Sequence, residues 1–151
     1  MCHRPRGRLH FIEHPNEAFS FFINSIIASS SAKELFPDNE FLENAFRHSL
    51  WQALLTQSFG FQQAIFFGEL HGDQDQYDDE PDSRADYHNN IIGRKVALQN
   101  MDAKTIELKL IILQKLANGE LKMTKKVDKN VINTKLDPKT YKKLKDKIQG
   151  K

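Results

Sequence analysis

Cysteine is nearly absent: Cys2 stands alone among 151 residues. That excludes a disulfide within the chain and a metal cluster built on thiolates. Long apolar runs are missing as well. No stretch approaches the roughly 20 apolar residues that cross a bilayer, so no transmembrane segment is expected. Arg4, Arg6 and Arg8 ahead of the apolar residues 19–28 imitate a secretion signal. Glu13, Pro15, Asn16 and Glu17 interrupt the approach, however, and Asn24 splits the apolar run. The expectation is a chain that is cytoplasmic as encoded, or exported by a route the sequence does not show. Several catalytic signatures are absent too. No two histidines bracket a glutamate at helical spacing, and there is no CxxC, no phosphate-binding glycine loop and no nucleophile elbow. Ser49, Thr56 and Ser58 have no evident base beside them, which argues against a serine triad. No internal repeat or coiled-coil heptad run is present.

What remains is an ordinary globular composition, 39% hydrophobic and 28% charged, in a length that suits one domain. The net charge of +2 hides two opposed segments. Asp73, Asp75, Asp78, Asp79, Glu80, Asp82 and Asp86 face only Arg84, whereas lysine dominates from Lys122 onward. The acidic run lacks the central glycine and terminal glutamate of a helix-loop-helix calcium site, so it reads as a solvated loop. The basic tail has the charge to meet nucleic acid or an anionic membrane, but with Tyr141 its one interleaved aromatic it reads rather as a solvated tail or a partner-binding helix.

The expected fold class is all-α: a compact bundle of about five helices. The acidic loop falls between the third and fourth, and the basic tail ends in a short helix. Residues 1–14 read as a flexible lead-in, 15–121 as the helical domain and 122–151 as the tail. A first helix over 16–36 carries Phe19, Phe22, Ile23, Ile26 and Ile27 as its apolar stripe. A second, over 40–57, is apolar on nearly all sides and so belongs at the centre. A third covers 61–70, with Ala64 and Gly68 small enough for close approach of another helix. A fourth covers 84–98, and a fifth runs from residue 100 or 102 to Ala117, ended by Asn118-Gly119. Val127, Val131, Ile132 and Leu136 suggest an extended piece, and Asp137-Pro138 opens the last helix.

The polar residues on these helices carry the functional reading. Asn44 and His48, four apart, share one face of the second helix, with Arg47 beside them. His71 ends the third. Asp86-Tyr87-His88-Asn89-Asn90 and Gly93-Arg94 crowd an acid, an imidazole, amides and a guanidinium onto the fourth. Histidine nitrogens and a carboxylate suit zinc or another divalent transition metal, with His48, His71, Asp86 and His88 as candidate ligands. Bound water would then become a nucleophile. Arg47 or Arg94 would hold phosphate or carboxylate, and Asn44, Asn89 and Asn90 would orient the ligands. The competing reading is a hydrogen-bonded polar core that fixes how the helices pack.

Asn44-Ala45-Phe46-Arg47-His48-Ser49-Leu50-Trp51, then Gly60, Ala64 and His71, then Asp86-Tyr87-His88-Asn89-Asn90 with Gly93-Arg94, together resemble an uncharacterised bacterial domain. It is seen in secreted, wall-associated and polymorphic-toxin-like proteins. The resemblance covers about residues 35–121. It implies an all-α fold and the constellation Arg47, His48, His71, Asp86, Asn89, Asn90 and Arg94 as the site, and it brings no established reaction. Such domains commonly carry an acid after the histidine of the third helix, where this chain has Gly72.

Three functions follow. The least favoured is a membrane-active toxin that uses the Phe-rich first helix, which lacks the basic polar face expected of an interfacial binder. The other two are these. One is a metal-dependent, toxin-like hydrolase of phosphoesters, acting on an anionic small molecule, a lipid or a nucleic acid. The other is a non-enzymatic interaction or accessory domain whose polar cluster is structural. The oligomeric state is left open.

Overall fold

Helix α2, Glu40–Phe59, is the axle of the molecule. Twelve of its residues are buried, and α1 (Pro15–Leu35), α3 (Phe61–His71), α4 (Pro81–Gln99) and α5 (Thr105–Ala117) all pack around it. A computed structural model describes residues 11–71, 80–125, 128 and 130–151, with the backbone alone for His71. Residues 1–10, most of the acidic loop (72–79) and Val127 lie outside the described residues. The fold is all-α, with one small two-stranded hairpin among the described residues.

Local chemistry sets the ends of α2. Asn39 accepts from Leu42 N at 3.0 Å and closes the first turn. Gly60, at φ 85°, ends the helix in a conformation that side chains disfavour. The fifth helix starts later than the turn residues suggest, at Thr105, where Glu107 accepts from Lys104 N at 2.7 Å.

The first helix departs from expectation. Phe19, Phe22 and Ile26 are 69%, 63% and 48% exposed, and Ile23 is exposed as well. The face laid on α2 is instead Asn24, Ala28, Ser31, Ala32 and Leu35. Ala28 and Ala32 let the two helix backbones come close, a packing that large side chains would prevent. Of the Phe/Ile stripe only Ile27 packs partly against the core; the rest is left on the outside.

After α5 the chain turns at Gly119 and forms the antiparallel hairpin β1 (Lys122–Thr124) and β2 (Val131–Asn133), with Met123 paired to Ile132. Thr134 ties it down, its hydroxyl donating to Leu116 O at 2.7 Å. Helix α6, Pro138–Ile148, buries Leu144 and packs on α5. Asp137 caps it, accepting from Lys139 N and Thr140 N at 3.0 Å each. No described helix is long and apolar enough to cross a membrane.

Candidate functional site

The crossing of α2 and α4 positions the polar residues. Gly93 makes it possible: a Cβ there would lie 2.1 Å from Ser49 O. At that distance the helices touch backbone to backbone, and the polar side chains on either side of the crossing are brought into register. Ser49 Oγ donates across it to Asn89 O at 3.1 Å.

On the N-terminal side of α2, Asn44 Nδ2 donates to Asp86 Oδ1 at 2.6 Å. His48 Nε2 stands 3.4 Å from Asp86 Oδ2, with the imidazole nearly buried and the carboxylate partly so. A carboxylate only accepts, so it is an N–H at Nε2 that faces Asp86, while Nδ1 is enclosed by the protein. Arg47 Nη2 donates to Asn44 Oδ1, while its buried Nε has no hydrogen-bond partner. Trp51 packs edge-on against the imidazole, ring centres 6.3 Å apart. It excludes water from that side, and Phe21 supports it in turn.

Two cavities meet at Arg47. A small one of about 60 Å³ is lined by Ser25, Ala28, Ser29, Arg47, His48 and Trp51. A wider groove of about 360 Å³ is lined by Glu40, Phe41, Glu43, Asn44, Arg47, Asp82 and Asp86. The first joins hydroxyls, a guanidinium and an imidazole, which suits an oxyanion. The second is acidic. Ser25 and Ser29 were not among the sequence candidates, although their four-residue spacing beside Ala28 marks one side of α1.

The remaining candidates separate. His88 follows Asp86 by two residues, so helical rotation aims it away from His48, whereas Asn89, three residues on and nearer the Asp86 side, is held elsewhere by its hydrogen bonds. His88 Nε2 donates to Glu120 O at 2.9 Å. Asn89 grips the backbone of Lys122 in both directions, donating to its carbonyl and accepting from its N–H, each at 2.8 Å. The structure thus places both on the segment leading into the hairpin, not in the His48 pocket. Beside them, the hydrogen bond from Lys115 Nζ to Glu120 Oε2, at 2.7 Å, holds the Glu120 carboxyl below its ordinary range.

Arg94 is buried on the far side of the crossing, donating to Gln52 Oε1 at 2.8 Å. Gly68 gives this pair its room: a Cβ there would lie 3.1 Å from Gln52 Nε2 and 3.7 Å from Arg94 Nη1. Gln52, fully buried, was not foreseen as the arginine's partner. Asn90 is buried close by in the sequence of α4. The His71 side chain lies outside the described residues. Among the described residues, no three His, Cys, Asp or Glu side chains come together as a metal site.

Residues 8–120 match the family model described as a domain of unknown function, DUF6973. The chain belongs to this family. The DUF6973 match begins ahead of α1 and so takes in Ser25 and Ser29 as well as the α2–α4 crossing. Comparisons with curated proteins and with solved structures returned no match.

Proposed function

We propose that this DUF6973 domain is a small hydrolase of phosphoesters, with His48 as its general base. The observation that carries the reading is the His48–Asp86 pair, Nε2 to Oδ2 3.4 Å, at the wall of a pocket that Arg47 also lines. Asp86, steadied by Asn44, orients the ring and stabilises the imidazolium. The imidazole takes a proton from water as the water oxygen attacks phosphorus. The P–O ester bond breaks, and the imidazolium returns the proton to the departing alkoxide. Arg47 binds the nonbridging oxygens and neutralises the charge that builds on them.

The metal-dependent form of this reading requires donors beyond His48 and Asp86. His88 is committed to Glu120 O, which leaves His71 as the candidate to complete the set. Elemental mass spectrometry of the untagged protein and of His71→Ala decides that point. Release of alcohol from a panel of phosphodiesters, abolished in His48→Asn, supports the hydrolase. Equal, background rates from both proteins reject it.

A non-enzymatic reading draws on a different observation: His88, Asn89 and Arg94 each make hydrogen bonds that hold the fold. In that case the domain presents a surface rather than a catalyst.

A further inference from the structure

Among the described residues, the outer face of α1 exposes a cluster of large apolar side chains. Phe19, Phe22, Ile23 and Ile26 recur at three- and four-residue steps and all point to solvent. Two phenylalanines more than half exposed, one turn apart, form a patch of the kind that soluble surfaces keep small unless it is used. From Ala18 to Ala32 the helix carries no charged residue. Nothing on that stretch would lose hydration as an ion if the face entered an apolar layer.

This face adjoins the pocket. Phe22, Ser25 and Ser29 are three and four residues apart, so they run along one side of α1. Ser25 and Ser29 line the cavity with Arg47 and His48. One helix therefore carries an apolar platform and, at its edge, the rim of a polar pocket holding a guanidinium. An amphiphile fits both parts: acyl chain against Phe19 and Phe22, anionic phosphate toward Arg47.

We infer that α1 is an interfacial helix and that the substrate is a phospholipid met at the surface of a zwitterionic bilayer. The inference rests on the hydrolase reading for its chemistry but not for its membrane contact. Charge selects the zwitterionic surface. Amphipathic helices that seek anionic lipid carry lysine and arginine beside the apolar face, and α1 has none between Ala18 and Ala32. Glu40, Glu43 and Asp82, in the groove on the other side of Arg47, repel a strongly anionic membrane. At 21 residues, α1 lies about 30 Å long in the plane of the surface.

The test is cosedimentation of the full chain with phosphatidylcholine vesicles, alongside Phe19→Glu/Phe22→Glu and His48→Asn. The parent pellets with the vesicles, and the double glutamate variant loses about tenfold or more in partitioning, since two aromatic side chains no longer enter the interface. Because both positions are exposed, its thermal midpoint stays near the parent's. His48→Asn pellets like the parent but releases no product from the lipid. Failure of the parent to pellet overturns the inference, as does pelleting that the glutamates leave unchanged. Binding that demands anionic lipid and vanishes with salt also overturns it. So does a dimer through Phe19 and Phe22, seen by light scattering in place of vesicle binding. Vesicle binding without hydrolysis would uphold the interfacial helix and reject the hydrolase. Hydrolysis of soluble diesters without vesicle binding would do the reverse.

Discussion

Gly93 and Ser49 fix the distance between α4 and α2: a single carbon added to Gly93 would sit 2.1 Å from Ser49 O. The contact is backbone, so no side chain can swing away to relieve it. Gly93→Ala must push the helices apart, and the strain is expected to cost about 1–3 kcal/mol or more. Urea denaturation measures it. A midpoint equal to the parent's would mean that the crossing is looser than described.

Asn89 joins α4 to the first strand of the hairpin. Replacing it by Ala removes two hydrogen bonds to Lys122 and strands a partly buried N–H and C=O. The expected loss is about 2–3 kcal/mol, with faster amide exchange over 122–124 than over α2. Uniform exchange throughout would contradict a local role.

Gln52→Leu keeps the volume of the side chain but removes the acceptor that Arg94 uses. A hydrogen bond to a charged group is worth about 1.5–3 kcal/mol, and that is the expected loss in stability. Gln52→Glu restores an acceptor and recovers most of it. If Gln52→Leu melts with the parent, the Arg94 guanidinium draws its stability from elsewhere.

Helix α6 responds to acid. The Thr140 hydroxyl, donating at 2.6 Å, and the Thr140 and Lys139 amides hold the Asp137 carboxyl below its ordinary value. A depressed folded value means that the cap contributes fully above the ordinary value of about 3.9. The contribution is lost as pH falls through the lower, folded value. Amide exchange in α6 should therefore quicken below about pH 4 in the parent. It should be quick and pH-flat, after correction for intrinsic rates, in Asp137→Ala. A parent that loses protection only near neutral pH would contradict the assignment.

Much of the fold was legible because it is written locally. The apolar circumference of α2, the Pro37-Asp38-Asn39 break and the Asn118-Gly119 stop are short-range signals, and the helices lie where those signals put them. The four-residue step from Asn44 to His48 put both on one face, and both meet Asp86. What was not legible depends on partners far along the chain. His88 and Asn89 turn to Glu120 and Lys122, more than thirty residues away, and helical spacing carries no trace of that loop. The α1 stripe misled for another reason. Periodicity marks the large apolar residues, but close packing on α2 selected the small ones, Ala28 and Ala32.

The most direct measurement is the rate of phosphodiester hydrolysis by the parent, Asp86→Asn and His48→Asn, each first shown to keep its thermal midpoint. Asparagine at position 86 preserves shape but removes the charge that stabilises the imidazolium. The hydrolase account predicts a fall of about 10²–10⁴-fold in both variants, the usual contribution of general acid–base catalysis. Hydrolysis at the parental rate in either variant would contradict it, and would return the His48–Asp86 pair to the set of contacts that hold α2 against α4.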